Sequence, residues 1–502
     1  MKLYSRNTAM AMAFMAIPGM AAAQKLEKKQ VDSLVSVITK NPDNIAAIDA
    51  FNRSTGRDTT VRLNTFRTLL KKYPKSAGLN YGMGVLYTQQ ESPAAKPYLL
   101  KAVAANPKLA EAYAELAIDA ERWGEFDKAA EYKGKAYEAN PNSPDYLFQY
   151  MYSFETADPA KWAALLKELR TKFPESDRGA QAMYWKALRT SKRDEKLAIY
   201  EDMKQHYPIN KSRWSSYGMN DYFDALLGFN PGKAAAVAGE LAATPGIETS
   251  TKEEFAGDKV MAEQLMQADE LLKAGKTAEA TALLNTVKAK RWGPTISIVA
   301  LAKGRAAAAV SPQQAYDTLM KAYLKEPARA LKEPLFNYGR QTGKTDEAIV
   351  NDIKSRLLAT SKPAIFSFDA YMEPGKKSMQ DYKGKVVLLT FWFPGCGPCR
   401  GEFPHFEEVL KHFDRTKVNY VGVNIMADQD DYVIPFVKSS KYTFTPLKDK
   451  EADRTNLPVR GAPSNFLIDQ EGRIIFSGFM IQTPEAQLMM QDMINLLLDK
   501  KA

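Results

Sequence analysis

Cys396 and Cys399 are the only cysteines in 502 residues. They stand three apart in Phe391-Trp392-Phe393-Pro394-Gly395-Cys396-Gly397-Pro398-Cys399-Arg400, directly after the apolar run Val386-Val387-Leu388-Leu389. This pattern puts a dithiol at the carboxyl end of a buried strand, where a helix begins. A structural zinc site needs a second pair of soft ligands, which the chain lacks, and a structural disulfide closing so short a loop would remove little unfolded-state entropy. Redox chemistry is what remains. The attacking species is a thiolate, and the free N–H groups at a helix start favour an anion by about 0.3–1 kcal/mol, which lowers the thiol pKa. Cys396, expected to be the more exposed of the two, is the candidate nucleophile. Cys399, one turn deeper, would resolve the mixed disulfide by attacking the Cys396 sulfur and releasing reduced substrate. Pro398 suits an early helix position, where its missing N–H costs nothing.

The elements that must hold this pair follow from pattern. Lys385 to Trp392 reads as a core strand, Cys399 to Phe413 as the active-site helix, and Val418 to Ile425 as the next parallel strand. A helix over Asp430 to Lys441 should follow, then a hairpin of Phe466 to Asp469 and Arg473 to Phe479 turning at Gln470-Glu471-Gly472. In a closing helix over Pro484 to Leu498, Leu488, Met489, Met493, Ile494 and Leu497 fall on or near one face. Methionine there fills core and does not mark a metal site.

These residues resemble the thioredoxin superfamily, and their flanks are similar to its TlpA/ResA-like branch of secreted thiol-disulfide oxidoreductases. One supporting string runs from Asp381-Tyr382-Lys383-Gly384-Lys385 through the cysteines to Arg400-Gly401-Glu402-Phe403-Pro404. The second, about sixty residues on, is Val459-Arg460-Gly461-Ala462-Pro463-Ser464-Asn465-Phe466-Leu467-Ile468-Asp469. The resemblance covers roughly residues 361 to 502 and implies a thioredoxin fold, a central mixed sheet flanked by helices. It implies a cis peptide bond before Pro463, facing the dithiol, and a backbone at Ala462 free to pair with a bound substrate strand. It also implies substrate contacts at Trp392 and Gly395.

Three positions within the resemblance bear on mechanism, two of them departures from the family pattern. Thr390 stands where thioredoxins carry a buried aspartate that moves protons for the second cysteine, and threonine cannot do that work. Glu402, three residues past Cys399, matches a glutamate of the ResA-like members and is the substitute proton acceptor; a solvated helix glutamate is the alternative. Gly395 replaces an aromatic residue that most members carry before the first cysteine, which removes a lip from the site.

The first residues, Met1 to Arg6, are basic, Asn7 to Met20 form an uncharged stretch, and Ala21-Ala22-Ala23-Gln24 supplies small residues for cleavage after Ala23. We expect a signal peptide over 1–23 and an exported, periplasmic protein. The apolar segment is too short for a permanent anchor, and no cysteine near the cut allows lipid attachment. The formal net charge of +10 is spread over helices of mixed sign, such as Lys192-Arg193-Asp194-Glu195-Lys196, which argues against nucleic-acid binding. No glycine-rich phosphate loop occurs, and with only His206, His405 and His412 no metal cluster or cofactor is expected. A copper-binding thioredoxin relative would space its cysteines differently and add a late histidine. A thiol peroxidase would need a threonine where Phe393 stands.

Residues 24–355 are helical in composition, with regular punctuation. Asn41-Pro42 is followed by Tyr73-Pro74, Asn106-Pro107, Asn140-Pro141, Phe173-Pro174 and Tyr207-Pro208, at intervals of 32, 33, 34, 33 and 34 residues. That is the tetratricopeptide period, two antiparallel helices per unit. Tyr113, Leu116, Ala117, Ala129 and Ala136 fall at its packing positions and Gly124 at the turn between helices; Ala95, Ala102, Ala315, Leu319 and Ala322 repeat the offsets. Residues 209–260, broken by Gly218, Gly228, Pro231, Gly232, Pro245 and Gly246, read as degenerate repeats or an irregular joint. The expected architecture is therefore an all-α tetratricopeptide-like solenoid, a linker at 356–364, and an α/β thioredoxin-like domain at 365–502. Stacked repeats leave a concave face that suits a protein or peptide partner.

The expected activity is reduction of disulfide-containing protein substrates, with electrons from a membrane thiol donor, because Gly397-Pro398 is the thioredoxin-type dipeptide. A disulfide oxidase or isomerase using the same dithiol is the first alternative. A repeat-based envelope binding protein, with the thioredoxin domain as docking module, is the second.

Overall fold

The computed structural model describes residues 28–54, 59–291 and 293–498. The expected signal peptide, 1–23, lies outside the described residues. Among these, nineteen helices run from Lys28 to Thr360, and every strand follows them.

Helices end where the prolines stand. Tyr73, Asn106, Asn140, Phe173 and Tyr207 each cap the C-terminus of a helix, with φ between −127° and −138°, and each donates its N–H to the carbonyl four residues back. The proline that follows excludes the helical conformation at the residue before it, so the helix stops there. Successive helices then approach closely over small residues. A β-carbon on Gly78 would lie 2.6 Å from the Pro42 carbonyl oxygen, and one on Gly84 2.4 Å from Leu99. Ala95, Ala102, Ala129, Ala136 and Ala315 are buried as the period requires.

Residues 209–260 are ordered helices, Arg213–Leu227 and Pro231–Ala242, leading into the 25-residue Thr249–Lys273. Pro231 occupies a first turn, where it is tolerated, and Gly246 has φ +76° in the loop. The punctuation separates helices here and does not break them; Gly218, inside its helix, faces the Met203 sulfur. The expected linker at 356–364 is also structured. The helix Asp346–Thr360 runs into it, and Lys362–Pro363 pairs with the sheet at Ile474 and Arg473, which gives the segment ladder partners.

The C-terminal sheet comprises β1 (Lys362–Pro363), β2 (Ile365–Ala370), β3 (Lys376–Ser378), β4 (Val386–Trp392), β5 (Val418–Asn424), β6 (Thr445–Lys448), β7 (Arg454–Thr455), β8 (Ser464–Ile468) and β9 (Arg473–Ser477). Its order is β1-β9-β8-β4-β5-β6-β2-β3, with β7 beside β2. β4 is central, parallel to β5 and antiparallel to β8, and all seven of its residues are buried. Val387, Leu389 and Phe391 pack with Phe366, Phe368 and Val421 on one face. Val386, Leu388 and Trp392 pack on the other with Phe403, Phe406 and Ile494. This is the period of two that a strand covered on both faces imposes. The closing helix Pro484–Leu497 buries Met490, Met493, Ile494 and Leu496, whereas Leu488 is exposed. Its apolar stripe is rotated from the expected face because it packs between the active-site helix and the helix Arg329–Gln341.

The helical region and the sheet domain touch at several places along the chain, and the last helices share a buried core with the sheet domain. Trp123 lies on Tyr432 with ring centroids 4.7 Å apart, and Phe126 meets Phe436 edge-on. Lys196 pairs with Glu485 at 3.3 Å and Lys332 with Asp492 at 3.1 Å. Gly124 combines φ +70° with an approach that would bring a β-carbon to 2.7 Å from the Phe436 carbonyl oxygen.

The close helix approach makes a prediction with an internal control. Gly78→Ala should lower stability by about 1–3 kcal/mol, because backbone cannot yield to the new methyl. Gly257→Ala, in an exposed helix interior with nothing within 4 Å of the added carbon, should raise it by about 0.5–1 kcal/mol. Urea unfolding followed by circular dichroism measures both.

Candidate active site

The chain leaves β4 at Trp392, turns through Pro394 and Gly395, and enters the helix Gly397–Leu410 with Cys396 as its N-cap. The Cys396 sulfur accepts the Cys399 N–H at 3.2 Å, so the sulfur sits where the unpaired donors of the helix converge. Cys396 and Cys399 are joined as a disulfide. Cys399 is fully buried, and Cys396 retains only 3% exposure. The expected order of exposure holds, but the margin is small: the nucleophile candidate is almost covered.

Glu402 lies three residues beyond Cys399 and is fully buried. Its carboxylate accepts the Asn465 amide at 3.0 Å and the Ile481 N–H at 2.9 Å. Burial pushes its carboxyl up to about 7, against the opposing pull of those two hydrogen bonds. The alternative of a solvated helix glutamate is thereby excluded. Thr390 occupies the inward face of β4 opposite Asn465 and donates its hydroxyl to the Asn465 side-chain oxygen at 2.7 Å. Asn465 also donates to the Phe479 carbonyl at 2.9 Å. A continuous buried chain, Thr390 to Asn465 to Glu402, therefore occupies the region where a single acid was expected and found missing. Asn465 was not singled out by sequence reasoning. Its position two residues past Pro463, on a strand otherwise apolar in Phe466-Leu467-Ile468, was the available signal.

The Ala462–Pro463 bond is cis. Because Ser464 pairs with Phe391, the Ala462–Pro463 segment lies beyond the same end of the sheet as the dithiol, and Ala462 packs on the cluster that contains both cysteines. Trp392 is fully buried among Phe403, Phe436 and Phe444, so the expected substrate contact by its ring is corrected: it supports the site from beneath. Gly395 is half-buried, with its N–H donated to Gln429 at 2.6 Å. Among the described residues no group of histidine, cysteine or acidic side chains is arranged to hold a metal ion. No helix there is long and apolar enough to cross a membrane.

Residues 365–477 match the model of the AhpC/TSA family. The thiol-disulfide oxidoreductase ResA of Bacillus subtilis is 35% identical over 129 residues, which covers 24% of this chain and 68% of ResA. This chain belongs to the ResA-like thiol-disulfide oxidoreductases. The thioredoxin-like protein YneN of the same organism is 35% identical over 100 residues, 20% of this chain, and the chain spans only 59% of its length. The structure of StoA from Bacillus subtilis is 26% identical, with a TM-score of 0.22, over 26% of this chain and 98% of StoA. The family match falls within the sheet domain, and the long helical region lies outside it.

The raised carboxyl of Glu402 makes the stability of the ResA-like domain depend on pH. A carboxyl whose folded pKa lies above its unfolded value contributes most below the unfolded pKa, near 4.3, and that contribution is lost as pH rises through the folded value, about 7. Relative to Glu402→Gln, the wild-type domain should lose stability between about pH 4 and 7, by at most roughly 1.4 kcal/mol per pH unit. Denaturant melts of both proteins across that range measure the difference.

Proposed function

We propose that this chain is an exported protein-disulfide reductase, with Cys396 as nucleophile, Cys399 as resolving thiol and Glu402 as its proton acceptor. The observation that carries this reading is the buried Glu402, poised near neutrality one helical turn from a dithiol at a helix N-terminus. The Cys396 thiolate attacks one sulfur of a substrate disulfide; the substrate S–S bond breaks and its first thiolate leaves. Cys399 passes its proton to Glu402 and attacks the Cys396 sulfur. The mixed disulfide breaks, the second substrate thiolate leaves, and Glu402 can return a proton to it. Two electrons have then passed from the dithiol to the substrate, and the Cys396–Cys399 disulfide must be re-reduced, by a membrane thiol donor in this reading.

Ala462 and Pro463 form the edge against which an extended substrate strand would pair. The helical region would recruit the protein that carries the disulfide. Export follows from the leader-like residues 1–23. The reductive direction rests on the Gly397-Pro398 dipeptide, and a redox potential near that of thioredoxin, about −270 mV, is the expected measurement; a potential near −120 mV would assign an oxidase instead.

Cys399→Ser should trap a covalent complex with the substrate through Cys396, and mass spectrometry of that adduct identifies what is reduced. Glu402→Gln should slow release of the mixed disulfide by about 10²–10⁴-fold while leaving the first attack near the wild-type rate. Stopped-flow kinetics separate the two steps, and wild-type rates in both would remove Glu402 from the mechanism.

A further inference from the structure

The helical region supplies a wall of the dithiol site. Glu91, in the turn between the helices Ala77–Gln89 and Ala95–Ala105, lies against the residue that precedes Cys396. A β-carbon on Gly395 would stand 3.0 Å from Glu91 Oε1 and 3.1 Å from both polar atoms of the Gln429 amide. Buried Gln429 accepts the Gly395 N–H at 2.6 Å and donates to the second oxygen of Glu91. Glu91 holds φ +53°, a conformation uncommon outside glycine, asparagine and aspartate. Arg122 lies 3.7 Å from Glu91 Oε1 and donates to the Thr88 carbonyl at 2.9 Å, which secures the same turn. On the other side of the loop, Glu121 pairs with Arg400 at 2.9 Å, and Arg400 donates to the Pro394 carbonyl at 2.7 Å. Pro394 and Gly395 are therefore both tied, through one side chain each, to the helical region.

We propose that Glu91 is a specificity-determining residue of this site. With Gln429 it forms the lip that Gly395 has no side chain to form, beside Cys396, which keeps 3% exposure, and so narrows the approach to that sulfur. The full chain then admits a disulfide carried on an extended, flexible segment and disfavours one set in a folded surface, because the attacking and attacked sulfurs must meet directly. This assignment rests on Cys396 as the nucleophile.

The test uses the reduced full chain, alkylated at Cys396 with iodoacetamide and, separately, with a polyethylene-glycol maleimide. Glu91→Gly keeps the positive φ without strain and removes the carboxylate. It should raise the maleimide-to-iodoacetamide rate ratio by about tenfold, since access governs the larger reagent. The ratio is insensitive to a changed thiolate fraction, which acts on both reagents alike. If Glu91→Gly does not fold, Gln429→Ala, which cuts the tie between Glu91 and Gly395, should raise the ratio in the same direction. A wild-type ratio in the folded variant overturns the proposal. Failure of the reductase reading would look different: wild-type protein labelled at Cys396 yet unable to reduce any disulfide offered, with the effect of Glu91→Gly on the ratio intact.

Discussion

A strand buried on both faces constrains everything around it. β4 has no exposed residue, and its backbone is paired by β5 on one side and β8 on the other, so its hydrogen bonds are complete and its register is set. The chain can leave only at the end of the strand, and it does so into a helix whose first donors are unpaired. Cys396 is the residue at that junction. The reactive sulfur thus owes its place to the strand, and its electrostatic setting to the helix N-terminus that follows.

The same period of two decides the acid chemistry. Val386, Leu388 and Trp392 face the active-site helix, and Thr390 falls between them as the one polar side chain of the strand. A hydroxyl in that layer requires a partner, which Asn465 supplies from β8, and Asn465 in turn reaches Glu402. A carboxyl held in this layer with two hydrogen-bond donors and no cation is costly to ionise, which raises its pKa and brings proton exchange into the neutral range. Such a group weakens the fold at neutral pH, a cost that proteins tend to carry where chemistry uses it.

The helical region seats on this domain in two ways: its last helices share a buried core with it, through residues such as Leu331, Leu335 and Ile353, and earlier residues add separate polar and aromatic contacts. Single ion pairs such as Lys196 with Glu485 contribute little, about 0–1 kcal/mol each at a surface. The aromatic contact of Trp123 with Tyr432 and the close backbone approach at Gly124 add shape requirements that ion pairs lack. Glu121 is the best-held charge of the interface: burial opposes its ionisation, but Lys133 and Arg400 outweigh that and bring its carboxyl down to about 2. The earlier helices are thereby referenced to the residues flanking the dithiol.

Local pattern was enough to reveal a good deal of this protein. The spacing of two cysteines after an apolar run, the proline at each helix end and the alternation in β4 are short-range features, fixed by backbone sterics and by which faces must be buried. Glu402 could be found through the resemblance to the ResA-like members, and its spacing of three from Cys399 makes it a neighbour along the helix. What the sequence withheld depends on groups far apart in the chain. Asn465 meets Thr390 across 75 residues, Glu91 meets Gln429 across 338, and Glu121 meets Arg400 across 279. Gly395, read alone, is an absent side chain; only the tertiary structure shows that a carboxylate from the helical region occupies that space, because packing between distant elements leaves no periodic trace in either one.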